Sequence, residues 1–119
     1  MARFLARLPQ DRRLGLFGFS YGSRVITGAL HLRGGGTLLG YRLPRDTTPP
    51  SRSARVVLWA AAEHNYWLLP RGAHGACLAP VDRLLLQYNS RDFVLRQYHR
   101  VDRHCRAEAL GRTGFPWSA

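Results

Sequence analysis

From Leu14 to Leu32 the chain is almost unbrokenly apolar, LGLFGFSYGSRVITGALHL, with Arg12 and Arg13 before it and Arg33 after it. Read as one helix, these nineteen residues would extend about 28 Å, close to the hydrocarbon thickness of a bilayer. Gly18 and Gly22 would then form a small-xxx-small face for helix packing. Arg24 sits near mid-span and costs about 2.5–3.5 kcal/mol on membrane-insertion scales, so such a helix would need a partner for it inside a complex. The same pattern also suits a buried helix or hairpin at a protein interface.

A second apolar segment, ARVVLWAAAEHNYWLL, runs from Ala54 to Leu69. Glu63, His64 and Asn65 interrupt it, and Pro70 with Gly72 stops it. Trp59, Tyr66 and Trp67 suit either a membrane interface, where amphipathic rings gather, or an ordinary core. Further on, Asp92–Arg96, Asp102–Arg106 and Glu108–Arg112 place an acid four residues before a base, the favourable order on a helix. Leu95, Tyr98, Val101 and Cys105 recur at three- and four-residue steps, with Ser90 able to cap the start and Gly111 the end. The pattern predicts an amphipathic helix over Ser90 to Arg112, preceded by a helical turn or two from Val81 to Tyr88.

Between these elements, Gly34-Gly35-Gly36 ends the first segment, and Pro44, Pro49 and Pro50 make Arg42 to Arg55 an irregular connector, either an extended arm across a partner's surface or a flexible loop. Arg33, Arg42, Arg45, Arg52 and Arg55 face one acid there, Asp46. At the start, Arg3 and Arg7 lie one helical turn apart beside Phe4, Leu5 and Leu8. This suits an organelle-import helix or an ordinary surface helix. The resulting expectation is a mainly α chain and not an independent enzyme fold. Its parts are a basic amphipathic segment (1–13), an apolar helix and candidate membrane span (14–32), a Gly/Pro/Arg-rich connector (33–55), a second apolar segment (54–70) and a C-terminal amphipathic helical region (80–112).

Charge narrows the choice of partner. Lys+Arg number 18 and Asp+Glu 7 in 119 residues, a net charge of +11, which points to RNA, anionic lipid or an acidic protein surface. Every basic residue is Arg, while Asn and Ile are scarce, so the preference for Arg reflects GC-rich coding more than the ligand. Cys77 and Cys105 permit one bridge and demand none, and two reduced thiols in apolar contacts is the plainer reading.

Three motifs invite chemistry. Gly18-Phe19-Ser20-Tyr21-Gly22 matches G-x-S-x-G, but a nucleophile elbow needs a strand before the Ser, a helix after it, and an Asp and a His later on a large sheet. Only 97 residues follow Gly22 and they do not supply that sheet, so the match counts as a coincidence of Gly-rich sequence. His74, Cys77, His99, His104 and Cys105 contain one tight H-x₂-C pair and an adjacent His-Cys pair, a poor spacing for structural zinc. Gly34-Gly35-Gly36 lacks the Lys-Ser/Thr of a phosphate loop. No catalytic, cofactor or metal residue is expected.

The run Gly18-Phe19-Ser20-Tyr21-Gly22-Ser23 after a basic N-terminus resembles the first helix of the small two-helix accessory subunit of the mitochondrial complex I membrane arm. Arg33 to Arg55, Ala54 to Leu69, and Asp82 to Phe93 with its Ser90-Arg91-Asp92-Phe93, follow in the order of that family's basic loop, aromatic helix and charged C-terminus. The resemblance implies a non-catalytic accessory subunit of an inner-membrane respiratory complex. It would hold other subunits of that large complex and anionic phospholipid such as cardiolipin. Arg12, Arg13, Arg24, Arg33, Arg42, Trp59 and Trp67 are the expected lipid or partner contacts, with Gly18 and Gly22 packing helices. The alternative is a mitochondrial ribosomal protein that grips rRNA through its Arg-rich surface. The stretch from Val81 onward carries only +3, seven Arg against four acids, which suits a solvated helix face as well as phosphate.

Overall fold

The computed structural model describes residues 1–9, 12–44, 53–102 and 106–116. Over these the chain folds as α1 (Ala2–Arg7), β1 (Leu14–Phe19), α2 (Gly22–Arg33), β2 (Ala54–Trp59) and β3 (Val81–Gln87). A 3₁₀ turn at Leu95–Gln97, α3 (Tyr98–Val101) and α4 (Leu110–Thr113) complete it. The three strands form one parallel sheet in the order β1-β2-β3, in the register Leu16↔Val56↔Leu84 and Phe19↔Trp59↔Gln87.

This overturns the mainly α expectation. Two periods meet within 14–32 that read as one apolar run. Over Leu14–Phe19 the burial alternates with period two, as a strand demands. From Gly22 onward Ser23, Ile26, Thr27, Leu30 and His31 are buried at helical spacing, with Gly28 and Ala29 buried beside them. The change of period falls at Ser20–Tyr21, where the chain reverses direction. α2 has twelve residues, and no helix among the described residues is long and apolar enough to cross a membrane. The second apolar segment likewise splits. Ala54–Trp59 is β2, with Ala54, Val56 and Leu58 buried, and the residues from Ala60 to Pro80 form a chain of turns leading to β3.

The C-terminal region also departs from the expected long helix. Val81–Gln87 is β3, and beyond it only single helical turns form. Tertiary contacts outcompete the local ion pairs there. Asp102, expected to support Arg106, instead faces Arg24 at 3.3 Å. Asp92 turns its side chain back to accept the Leu95 N–H at 2.8 Å. Glu108–Arg112 does form, at 3.4 Å, though both side chains reach solvent.

The core lies on one face of the sheet. Ile26 and Leu30 of α2 meet Val56 and Leu58 of β2, and Leu68, Cys77 and Leu110 close the cluster. α1 packs Ala2 and Leu5 against Ala29 and Leu43 in a smaller cluster. The glycine triplet makes room where α2 ends. A Cβ on Gly34 would stand 2.0 Å from the Ala76 carbonyl oxygen, and one on Gly36 would stand 2.2 Å from the His31 ring. Gly35 turns the chain with φ +90°, a conformation that L side chains rarely adopt.

Candidate functional site

In a parallel α/β sheet, ligands gather beyond the carboxyl ends of the strands. Here that edge is formed by Phe19, Trp59 and Gln87, which stand in register. Ser20 is the first residue past β1 and has φ +51°, in the left-handed region costly for any residue with a Cβ. Its amide donates to the Trp59 carbonyl at 3.0 Å, and its carbonyl accepts from the Ala62 amide at 3.1 Å and the Ser23 amide at 3.2 Å. Both backbone polar groups of Ser20 are therefore held, one of them twice, and the strained conformation is fixed from the neighbouring strand's exit. Ala60, just past β2, shares the left-handed conformation at φ +49°.

α2 begins two residues after Ser20. The amides of its first turn have no acceptor within the helix, and no acid lies in that turn. The positive end of the helix thus points at the position of Ser20. Gly18, two residues before Ser20, lets the helix fold back on the strand. A Cβ there would lie 3.0 Å from the Ser23 Cα and 3.2 Å from Leu58 Cδ2. Gly22, two residues after, has open space around it. The G-x-S-x-G run is therefore a strand–turn–helix with the Ser at its apex, on a sheet of three strands among the described residues. Among the described residues no side chain hydrogen-bonds to Ser20 Oγ.

Two polar clusters bind α2 to the turns after β2. In the first, Arg24 Nε donates to the Ala62 carbonyl at 2.6 Å, while Nη2 donates to the Tyr98 hydroxyl and to Asp102 Oδ2 at 3.3 Å. Its guanidinium also lies 4.9 Å from the Tyr21 and Trp67 ring centres and 5.6 Å from that of Tyr98. The Tyr98 hydroxyl proton goes to His64 Nδ1 at 2.8 Å, leaving His64 Nε2 to face Asp102 at 3.8 Å. Burial pushes Tyr98 up to about 12 against the opposing pull of Arg24. Burial also holds His64 below its ordinary value, outweighing the upward pull of Asp102.

In the second cluster, Thr27 Oγ1 lies 2.7 Å from Glu63 Oε2, 2.8 Å from His74 Nδ1 and 3.0 Å from the Ser23 carbonyl. One hydroxyl proton cannot serve both oxygens, so either Glu63 or the Ser23 carbonyl takes it, with His74 donating to Thr27. Glu63 is fully buried and its Oε1 has no hydrogen-bond partner, as is also true of Ser23 Oγ. Beside this cluster, His31 Nδ1 accepts the Ala76 N–H at 3.0 Å and Nε2 donates to the Thr37 carbonyl at 3.3 Å. Acceptance at Nδ1 requires a neutral ring, and burial lowers its pKa against the upward pull of the Thr37 carbonyl. Cys77 is buried, and that burial raises its thiol to about 12, far from a reactive thiolate.

The remaining expected contact residues scatter. Arg12 and Arg13 are exposed ahead of β1. Arg33 ends α2 half-buried, and Arg42 donates to the Gly35 carbonyl at 3.0 Å. Trp59 ends β2 on the sheet's outer face, whereas Trp67 lies between His64, His74 and Arg24. Gly18 and Gly22 belong to β1 and α2 and share no helix face. Of the zinc candidates, His74 and Cys77 lie in the turns before β3 and His99 is exposed on α3, while His104 and Cys105 fall outside the described residues. No group of three His, Cys, Asp or Glu side chains stands ready for a metal among the described residues. Sequence reasoning missed the clusters of Thr27, Glu63, His74 and of His64, Tyr98, Asp102. Their signal was Glu63-His64 inside an apolar segment, where a buried polar pair needs partners.

The chain matches no family model, no curated protein and no solved structure.

Arg24 is the hub of the first cluster, and its side chain is 26% exposed. Arg24→Leu leaves Asp102, the Tyr98 hydroxyl and the Ala62 carbonyl short of a donor. The expected loss is about 2 kcal/mol, below that of a fully buried pair because water reaches this one. Arg24→Lys should recover less than half, since an ammonium cannot reproduce the fork and the ring stacking. Urea unfolding of the three proteins measures both.

The neutral imidazoles give a pH dependence of defined sign. The folded-state pKa values of His31 and His64 lie below the ordinary 6.5, so below that pH the unfolded chain binds protons that the fold excludes. Stability should be level above about pH 7 and fall as the pH drops through 6.5 toward about 5, before carboxylates titrate. His31→Gln should flatten that slope in urea midpoints measured across the range.

Proposed function

We propose that Ser20 is the nucleophile of an acyl-transfer or ester-hydrolysing site at the carboxyl edge of the sheet. The observation that carries this reading is the left-handed φ of +51° at a non-glycine residue, held by three backbone hydrogen bonds between a strand and a helix start. A fold stores such strain where a side chain must be presented, and the hydroxyl at an elbow stands clear of both elements. Ser20 Oγ would attack a substrate carbonyl carbon as a base takes its proton. The Tyr21 amide, next along the chain, would donate to the developing oxyanion with the helix dipole behind it. The leaving alcohol would depart with a proton returned by the base, and water would then release the acyl group.

Such sites carry their other members in the order Ser, acid, His on this type of sheet. Asp92 follows β3 at the same edge, and the histidines after it are His99 and His104. The expected non-catalytic membrane subunit rested on a basic import-like start, two apolar segments read as helices and a family resemblance. Strands, turns and a twelve-residue helix occupy those segments, which removes the support the spans gave it.

A fluorophosphonate probe tests the reading directly. Covalent labelling should map to Ser20 by mass spectrometry and vanish in Ser20→Ala, together with hydrolysis of short-chain p-nitrophenyl esters. Ser20→Gly should lose the same labelling yet be more stable than Ser20→Ala by about 1 kcal/mol, because glycine accepts the positive φ without strain. Equal labelling of wild type and Ser20→Ala would defeat the proposal.

A further inference from the structure

The strand alternation that buries Val56 and Leu58 sends a second set of side chains to the opposite face. In register these are Gly15, Arg55 and Arg83, then Phe17, Val57 and Leu85, then Phe19, Trp59 and Gln87. Among the described residues nothing packs on them. Phe17, Phe19 and Leu85 are 60% exposed or more, and Trp59 is 49% exposed. A groove of about 490 Å³ runs over this face between Phe17, Arg55, Val57 and Leu85. Parallel sheets are stable with both faces covered, and in this chain the core, α2 and the turns after β2 all lie on the other side.

We propose that this face docks an amphipathic α-helix of another polypeptide, apolar along one stripe and bearing carboxylates at the end that meets Arg55 and Arg83. The dimensions select a helix. Three strands span about 10 Å between the outer two, the width of one helix with its side chains. From Gly15 to Phe19 the face is about 13 Å long, which about nine helical residues cover. The charge selects the polarity. Arg55 and Arg83 stand side by side at one end, and among the described residues Arg55 pairs with Asp82 at 3.6 Å while Arg83 has no ion-pair partner. A second copy of the chain would bring another +11 of charge and another arginine pair to the same place. The apolar rows Phe17-Val57-Leu85 and Phe19-Trp59 offer nothing to a phosphate backbone.

The test uses a rhodamine-labelled peptide of about fourteen residues with leucines at i, i+3, i+4 and i+7 and glutamates at one end. It is titrated against the full chain by fluorescence anisotropy. Saturable binding is expected, weakened at least about tenfold by Arg55→Glu with Arg83→Glu, and restored to that variant by a peptide carrying lysines in place of the glutamates. Leu85→Asp should weaken both pairings, and both exposed-face variants should keep the wild-type circular dichroism. Ser20→Ala should bind like wild type, so failure of the catalytic reading and of this one are separable. Three results would overturn the proposal: equal binding of the acidic and basic peptides to wild type, a chain dimer that Phe17→Ser dissolves, or adsorption to neutral phosphatidylcholine vesicles that Phe17→Ser abolishes.

Discussion

The fold depends on a pair of backbone hydrogen bonds that cross from one strand exit to the next. Ser20 donates to Trp59 and accepts from Ala62, so the end of β1, the start of α2 and the turns after β2 are tied at one residue. This junction holds a side-chain-bearing residue in the left-handed region, and the surroundings must over-determine it to keep it there. Gly18 eases the approach, since a Cβ there would crowd the Ser23 Cα, Ile26 and Leu58 so that they would have to give by a few tenths of an ångström. With the junction in place, Ile26 and Leu30 fall onto Val56 and Leu58, and the core follows.

Polar contacts then orient what the apolar core only brings together. Hydrophobic burial is non-directional, whereas the fork of Arg24, the hydroxyl of Thr27 and the two ring nitrogens of His31 each accept one geometry. These contacts connect α2 to residues 62–63, 74–76, 98 and 102, far apart in sequence. The turns after β2 contain no helix, so this polar network stands in for the packing that a crossover helix usually gives a parallel pair. The neutral imidazoles of His31 and His64 make that network sensitive to protonation, and the site edge inherits the sensitivity through Ala62.

Much of this was legible in outline and lost in assembly. Leu14, Leu16 and Gly18 alternate with Gly15, Phe17 and Phe19, a strand signal masked because the exposed face is as apolar as the buried one. The identical ambiguity hid β3, where Leu84, Leu85 and Leu86 carry no alternation in hydropathy. Arg24 was recognised as needing an acid or carbonyl partner, and Asp102 and Ala62 supply both from within the chain. The long helix from Ser90 to Arg112 did not form because i,i+4 ion pairs are worth only a few tenths of a kcal/mol each, and Arg24 competes for Asp102 with aromatic contacts besides. The serine motif was discounted for want of a large sheet to carry an Asp and a His, and the strand before the Ser was hidden in the apolar run.

Amide hydrogen exchange of the Ser20 and Ala62 N–H groups, followed by NMR, tests the junction most directly. Both donate beyond the paired stretch of β1 and β2, and their loss would free the elbow from the exit of β2. Their exchange should rank with that of Val56 and Leu58 in the core and slow or quicken together with it in urea. Exchange of the Ser20 amide at the rate of an unstructured peptide, while α2 remains protected, would contradict the elbow and the site built on it.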